Sequence, residues 1–139
     1  MHTRFTQLVK YKNNEMQQCE QKLFHANSEL VKAQEQLQCS YQLLHTLEVP
    51  KQGDIETLLQ SRCSFSMQRN VIRSHAQRVK HQSRLVEQAK EELKASLIEY
   101  EKFQYLEAEQ IKKMIKKQKR EESKSLDEAA LQTFISRAQ

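Results

Sequence analysis

Turn-forming residues are almost missing from this chain, which has one glycine and one proline in 139 residues. A β-rich domain needs many tight turns, and those draw on Gly, Pro and Asn for their backbone angles. The scarcity excludes a sandwich or barrel and points to an all-α chain. Tryptophan is absent, and aromatics make up only 6%. With 37% hydrophobic against 29% charged residues, there is too little apolar surface for a deep core. The balance suits a thin seam between helices. Cysteine is scarce too. Cys19, Cys39 and Cys63 are an odd, widely spaced set with no C-x-x-C pair, so reduced cytosolic thiols are expected rather than a disulfide framework or zinc site. No long apolar run opens the chain, so neither a secretory signal nor a transmembrane helix is expected.

Signatures of catalysis are missing as well. There is no glycine loop to cradle a phosphate, no His-x-x-x-His and no paired carboxylate in a plausible pocket. His2, His25, His45, His75 and His81 are scattered. A two-helix chain has no interior in which to desolvate a catalytic group. The expectation is a non-enzyme without cofactor or metal. Nucleic acid is not an expected partner, because aromatics are not interleaved with the basic runs and no helix–turn–helix or zinc pattern is present.

What is present is periodicity. Phe65, Ile72, Val79, Val86, Leu93, Tyr100 and Met114 fall on one seven-residue repeat, broken only by Glu107. Such a repeat keeps one seam of a helix facing a partner. The first part of the chain has its own repeat: Phe5, Val9, Met16, Cys19, Leu23, Ala26, Leu30, Ala33, Leu37, Leu44 and Leu47. One layer is large (Met16, Leu23, Leu30, Leu37, Leu44) and the other small (Cys19, Ala26, Ala33, Ser40), which favours a close two-helix approach. Lys12 and Ser40 are its polar exceptions, placed to weaken the seam or to fix its register.

Between the repeats lies Val49-Pro50-Lys51-Gln52-Gly53. Pro50 disfavours helix at Val49, Gly53 permits a left-handed backbone, and Asp54 is a good N-cap. Short connections between helices make antiparallel neighbours. The predicted fold is a single elongated antiparallel two-helix coiled coil, an α-hairpin with a longer C-terminal helix. Its first arm covers about 3–48, the turn 49–53 and the second arm about 54–135. At ~1.5 Å per residue the arms reach about 69 and about 120 Å. A turn centred near residue 51 sets residue k opposite 102 minus k. Met16 then faces Val86, Leu23 faces Val79, Leu30 faces Ile72 and Leu37 faces Phe65, large on large. Past Tyr100 no internal partner remains, although the stripe continues through Phe103, Tyr105, Leu106, Ile111, Met114 and Ile115. An unpartnered stripe of this kind binds another chain or frays.

Charge is unevenly placed within a net +5. No acid occurs from Thr57 to Val86, where Arg62, Arg69, Arg73, Arg78, Lys80 and Arg84 stand, and a second basic run spans Lys112 to Arg120. Each is either a solvated face or a contact for an acidic partner.

The tail carries a resemblance. Lys116-Lys117-Gln118-Lys119-Arg120-Glu121-Glu122, followed by Lys124-Ser125-Leu126-Asp127-Glu128, is similar to the charged run ending in Lys-x-Leu/Met-Asp-Glu of the FliJ/YscO (SctO) stalk family of type III secretion systems. Glu101-Lys102-Phe103-Gln104-Tyr105-Leu106 and Gln110 resemble the pattern that precedes that run. The resemblance implies a cytoplasmic stalk at the inner-membrane base of a flagellar or virulence secretion apparatus. Such a stalk inserts into a hexameric secretion ATPase, promotes its assembly and activity, and couples it to the export-gate cytoplasmic ring; some members also bind secretion chaperones. For the ATPase ring it directs attention to Phe103, Tyr105, Lys112, Lys113, Lys116, Lys117, Lys119 and Arg120. For the export gate it points to Gln36, Phe65 and His75, although Leu43 and Leu47 replace the family's first-arm aromatics, with only Tyr41 nearby. The alternative from another class is a coiled-coil scaffold or export-chaperone escort with no ATPase role.

Overall fold

In the computed structural model, which describes residues 2–138, two helices make up nearly the whole chain. Helix α1 spans Thr6–Thr46 and α2 spans Ile55–Ala138. No strand occurs among the described residues, so the all-α class with a longer second helix holds. Packing gathers the chain into two units: Gln17–Ala95, and Met1–Met16 with Ser96–Gln139.

Both helices begin with side-chain caps. The Phe5 amide donates to Thr3 Oγ1 at 3.2 Å, and the Thr3 amide donates to Thr6 Oγ1 at 3.0 Å. At α2, Asp54 Oδ1 accepts from the Thr57 amide at 3.0 Å and from the Thr57 hydroxyl at 2.7 Å. These bonds satisfy amides that a helix start leaves without intrahelical partners. Just before the cap, Gly53 adopts φ +153°, a conformation L side chains rarely take. A Cβ there would stand 3.1 Å from that of Thr57.

In the unit Gln17–Ala95, α1 folds back on α2 around residues 47–54. The half-buried and buried positions of α1 follow the expected repeat: Cys19, Leu23, Ala26, Leu30, Ala33, Leu37, Ser40 and Leu44. On α2 the seven-repeat is joined by a second series seven apart, Gln68, His75, Gln82 and Ala89. The pairing between the arms differs from the count above. Gln68 Nε2 donates to the Ser40 carbonyl at 2.8 Å, and Arg78 Nη1 donates to Gln36 Oε1 at 3.1 Å. The count had put Arg62 and Ser66 in those places.

The reason is the turn. An extended segment rises roughly 3.3 Å per residue and a helix about 1.5 Å, so the loop runs beside the first three turns of α2. Leu47, Glu48, Val49, Pro50 and Lys51 line one hollow with Thr57, Gln60, Ser61, Ser64 and Phe65. Phe65 therefore packs under the loop and not against Leu37. Counting onward from the observed contacts, Leu44, Leu37, Leu30 and Leu23 lie level with Gln68, His75, Gln82 and Ala89. Ser40, Ala33, Ala26 and Cys19 lie level with Ile72, Val79, Val86 and Leu93. Large meets small in both directions, which replaces the expected large-on-large layers. The tightest burial falls on small members of this pattern, with Ala33 1% exposed, Ser40 and Val86 4%, and Ala89 8%. Ser40 keeps its hydroxyl satisfied by donating to the Gln36 carbonyl at 2.9 Å.

In the other unit, Phe5, Val9, Lys12 and Met16 on one side and Ser96, Tyr100, Phe103, Leu106 and Ile111 on the other are half-buried. Lys12 Nζ lies 5.8 Å from the centre of the Phe103 ring and 3.4 Å from Glu15 Oε2. Lys12 thus occupies a seam position with its stem packed and its charge answered by a carboxylate and a ring face. From Lys112 to Ala138 every residue is exposed. The unpartnered length starts after Ile111 rather than after Tyr100, because the later register carries the N-terminal turns of α1 further along α2.

Candidate partner-binding surfaces

The unpartnered end of α2 holds most of the residues expected to meet an ATPase ring. Lys113, Lys116, Lys117 and Arg120 together line one open cleft of about 370 Å³. Their spacing of three, four and seven places them on one helix face. Lys112 and Lys119 stand beside that face on the flank shared with Lys116. Lys112 Nζ lies 3.7 Å from Glu109 Oε1. Among the described residues, the cations of the cleft and Lys119 have no carboxylate within ion-pair distance. Like charges crowded without counterions repel one another and raise the local positive potential, a field that draws an acidic surface.

The two aromatic candidates differ. Phe103 is half-buried against Lys12 and serves the internal seam, whereas Tyr105 is 65% exposed and free to contact another surface. Sequence reasoning missed the last turns of α2, where Leu126, Leu131, Phe134 and Ile135 are all more than half exposed. The signal was present as Leu131, Phe134 and Ile135 at helical spacing in a stretch with no internal partner.

The three residues expected at the export gate all lie in the unit Gln17–Ala95 but not at one point. Gln36 sits on the flank of the seam and accepts from Arg78. His75, one turn before Arg78, is half-buried in the seam itself. Phe65 lies ten residues earlier, about 15 Å along the helix, beneath Val49 and beside Leu58, Arg62 and Arg69 at the rim of a second open hollow. Gln36 and His75 are neighbours; Phe65 belongs to the turn. Gln68 and Gln82 were also missed as seam residues, although their seven-residue spacing through His75 announced a polar layer.

Among the described residues no cluster of three or more His, Cys, Asp or Glu side chains forms a metal-binding arrangement. No helix is long and apolar enough to cross a membrane.

A capped pair of antiparallel helices, a thin heptad seam and a basic unpartnered extension now stand beside the tail pattern. The whole chain, residues 1–139, matches the family described as Flagellar FliJ protein. The chain belongs to the FliJ family. No curated protein matches it and no solved structure matches it. Membership carries a stalk role in flagellar or type III protein export, and FliJ proteins associate with components of the export apparatus.

Proposed function

We propose that this FliJ-family protein is the central stalk of a type III export ATPase complex in the cytoplasm. The free end of α2 enters the hexameric ATPase ring and promotes its assembly and activity, while the turn-proximal half of the molecule couples the ring to the export gate. The observation that carries this reading is the stretch after Ile111, a helix with every residue exposed and a four-cation face without counterions. Its ~40 Å length, at about 1.5 Å per residue, is enough to cross a protein ring. Long-range attraction then brings the helix to acidic pore loops, and exposed Tyr105 supplies an apolar anchor near the mouth.

The test is ATP hydrolysis by the cognate hexamer with and without this chain. Stimulation is expected, and it should fall steeply with ionic strength because the contact is exposed. The variant Lys113→Glu, Lys116→Glu, Lys117→Glu, Arg120→Glu should keep its helicity yet lose at least tenfold in ring affinity. Full stimulation by that variant at low salt would refute the assignment of this face. No stimulation by the unaltered chain would favour the scaffold or chaperone-escort alternative.

A further inference from the structure

The exposed length of α2 has a second property that the stalk reading does not use: its charge is divided into two opposite blocks. Residues 112–120 carry six cations and no acid, and residues 121–128 carry four acids and one lysine. A helix patterned in this way is complementary to itself when turned end for end. We propose that the free ends of α2 from two copies of this chain pair antiparallel about a two-fold axis between Arg120 and Glu121.

That axis sets Lys113 level with Glu128 of the second copy, Lys119 with Glu122 and Arg120 with Glu121, each pair occurring twice by symmetry. Lys117 meets Lys124 as a like-charged pair, with Glu121 and Glu128 a turn to either side. The same axis places Ile115 level with Leu126 and Ile111 level with Ala130. Ile111, Ile115, Gln118, Glu122 and Leu126 follow steps of four, three, four and four, so they share one face, and it lies opposite the face of the cation cleft. Ile115 and Leu126 are 38% and 71% exposed in the single chain, and pairing covers both. Nothing within the chain competes for the acid block, since Glu121, Glu122, Asp127 and Glu128 make no ion pair among the described residues. The interface is isologous, so it closes at two copies and does not propagate into a filament.

Such a dimer covers the length that enters the ATPase ring under the reading above, so pairing and ring entry compete. The competition rests on that reading; the dimer does not.

Sedimentation of the full chain at 10–200 µM tests the pairing without the ATPase. In about 50 mM salt the mass should rise with concentration from 16.5 kDa toward twice that value, and about 0.5 M salt should abolish the rise through screening. An all-acidic end (Lys113→Glu, Lys116→Glu, Lys117→Glu, Arg120→Glu) and an all-basic end (Glu121→Lys, Glu122→Lys, Asp127→Lys, Glu128→Lys) should each stay monomeric. Their equimolar mixture should dimerise at least as well as the original chain. Circular dichroism checks that helix content is retained in both variants. A chain that stays monomeric at 200 µM and low salt overturns the proposal. Dimerisation unaffected by either charge change does so as well, and so does a mixture that fails to pair.

Discussion

Ala33→Leu is a sharp test of how the two arms meet, because the two registers predict opposite signs. Ala33 is 1% exposed and lies level with Val79 in the observed pairing. Leucine adds three carbons. In a site with room for them, burial at ~0.8 kcal/mol per methylene would stabilise by up to about 2.4 kcal/mol. Level with Arg69, where the symmetric count puts Ala33, such room exists and the change should stabilise. Against Val79 across a close helix approach there is none, and forcing in extra methylenes costs ~1–3 kcal/mol. The net expectation is a loss of about 2 kcal/mol. Val79→Ala alone should cost about 1–2 kcal/mol for two lost methyl groups. The double variant should recover much of the loss, with a coupling of at least about 1 kcal/mol, because the two residues share one space. Urea unfolding followed at 222 nm measures all three. A neutral or stabilising Ala33→Leu, or additive effects in the double variant, would refute the large-on-small seam.

The turn gives two further predictions. Gly53→Ala should destabilise by about 1 kcal/mol or more, since φ +153° strains any L side chain and the new Cβ meets Thr57; a urea midpoint equal to that of the original chain would count against it. The Thr57 hydroxyl first, and then the Thr57 amide, hold the Asp54 carboxyl below its usual range. A carboxylate whose folded value is depressed contributes stability above its unfolded value and loses it as the pH falls through the folded one. Asp54→Asn should therefore flatten the acid limb of the stability profile below about pH 4, where an unperturbed aspartate titrates, while leaving its shape at neutral pH unchanged. Charge reversal in the cleft of Lys113 and Arg120 and the paired-end sedimentation series complete the set, one read by ATP hydrolysis and the other by mass.

Much of the fold was legible because a heptad is a local code. Every apolar seam position from Cys19 to Leu44 could be named from steps of three and four, and Pro50, Gly53 and Asp54 marked the turn by their backbone chemistry. The register was not legible. It depends on how far the chain travels between Leu47 and Asp54, and an extended loop covers more than twice the distance per residue that a helix does. Periodicity is blind to that offset, since a shift along one arm still lays one seam on another. The polar layer of Gln68, His75 and Gln82 escaped notice because only apolar residues were counted toward the seam. For the surface, the basic run after Ile111 was readable as charge. Which lysines converge on one cleft, and that Phe103 turns inward while Tyr105 does not, required the helix positions and a neighbour to pack against.

The exposed end of α2 has a thermal consequence. Up to Ile111 the helix is held by a neighbour and melts only when that neighbour leaves. From Lys112 to Ala138 it is held by its own hydrogen bonds and by the helix-favouring Lys, Glu, Gln and Ala of its sequence, and an unaided helix of this length is marginal in water. Heating should thus unwind the chain in two ways, a gradual loss of ellipticity from the tip and a later cooperative step from the seam. Calorimetry records chiefly the second. Amide exchange should grade in the same order, fast and nearly uniform beyond Lys112 and slowest around Ala33, Val86 and Ala89.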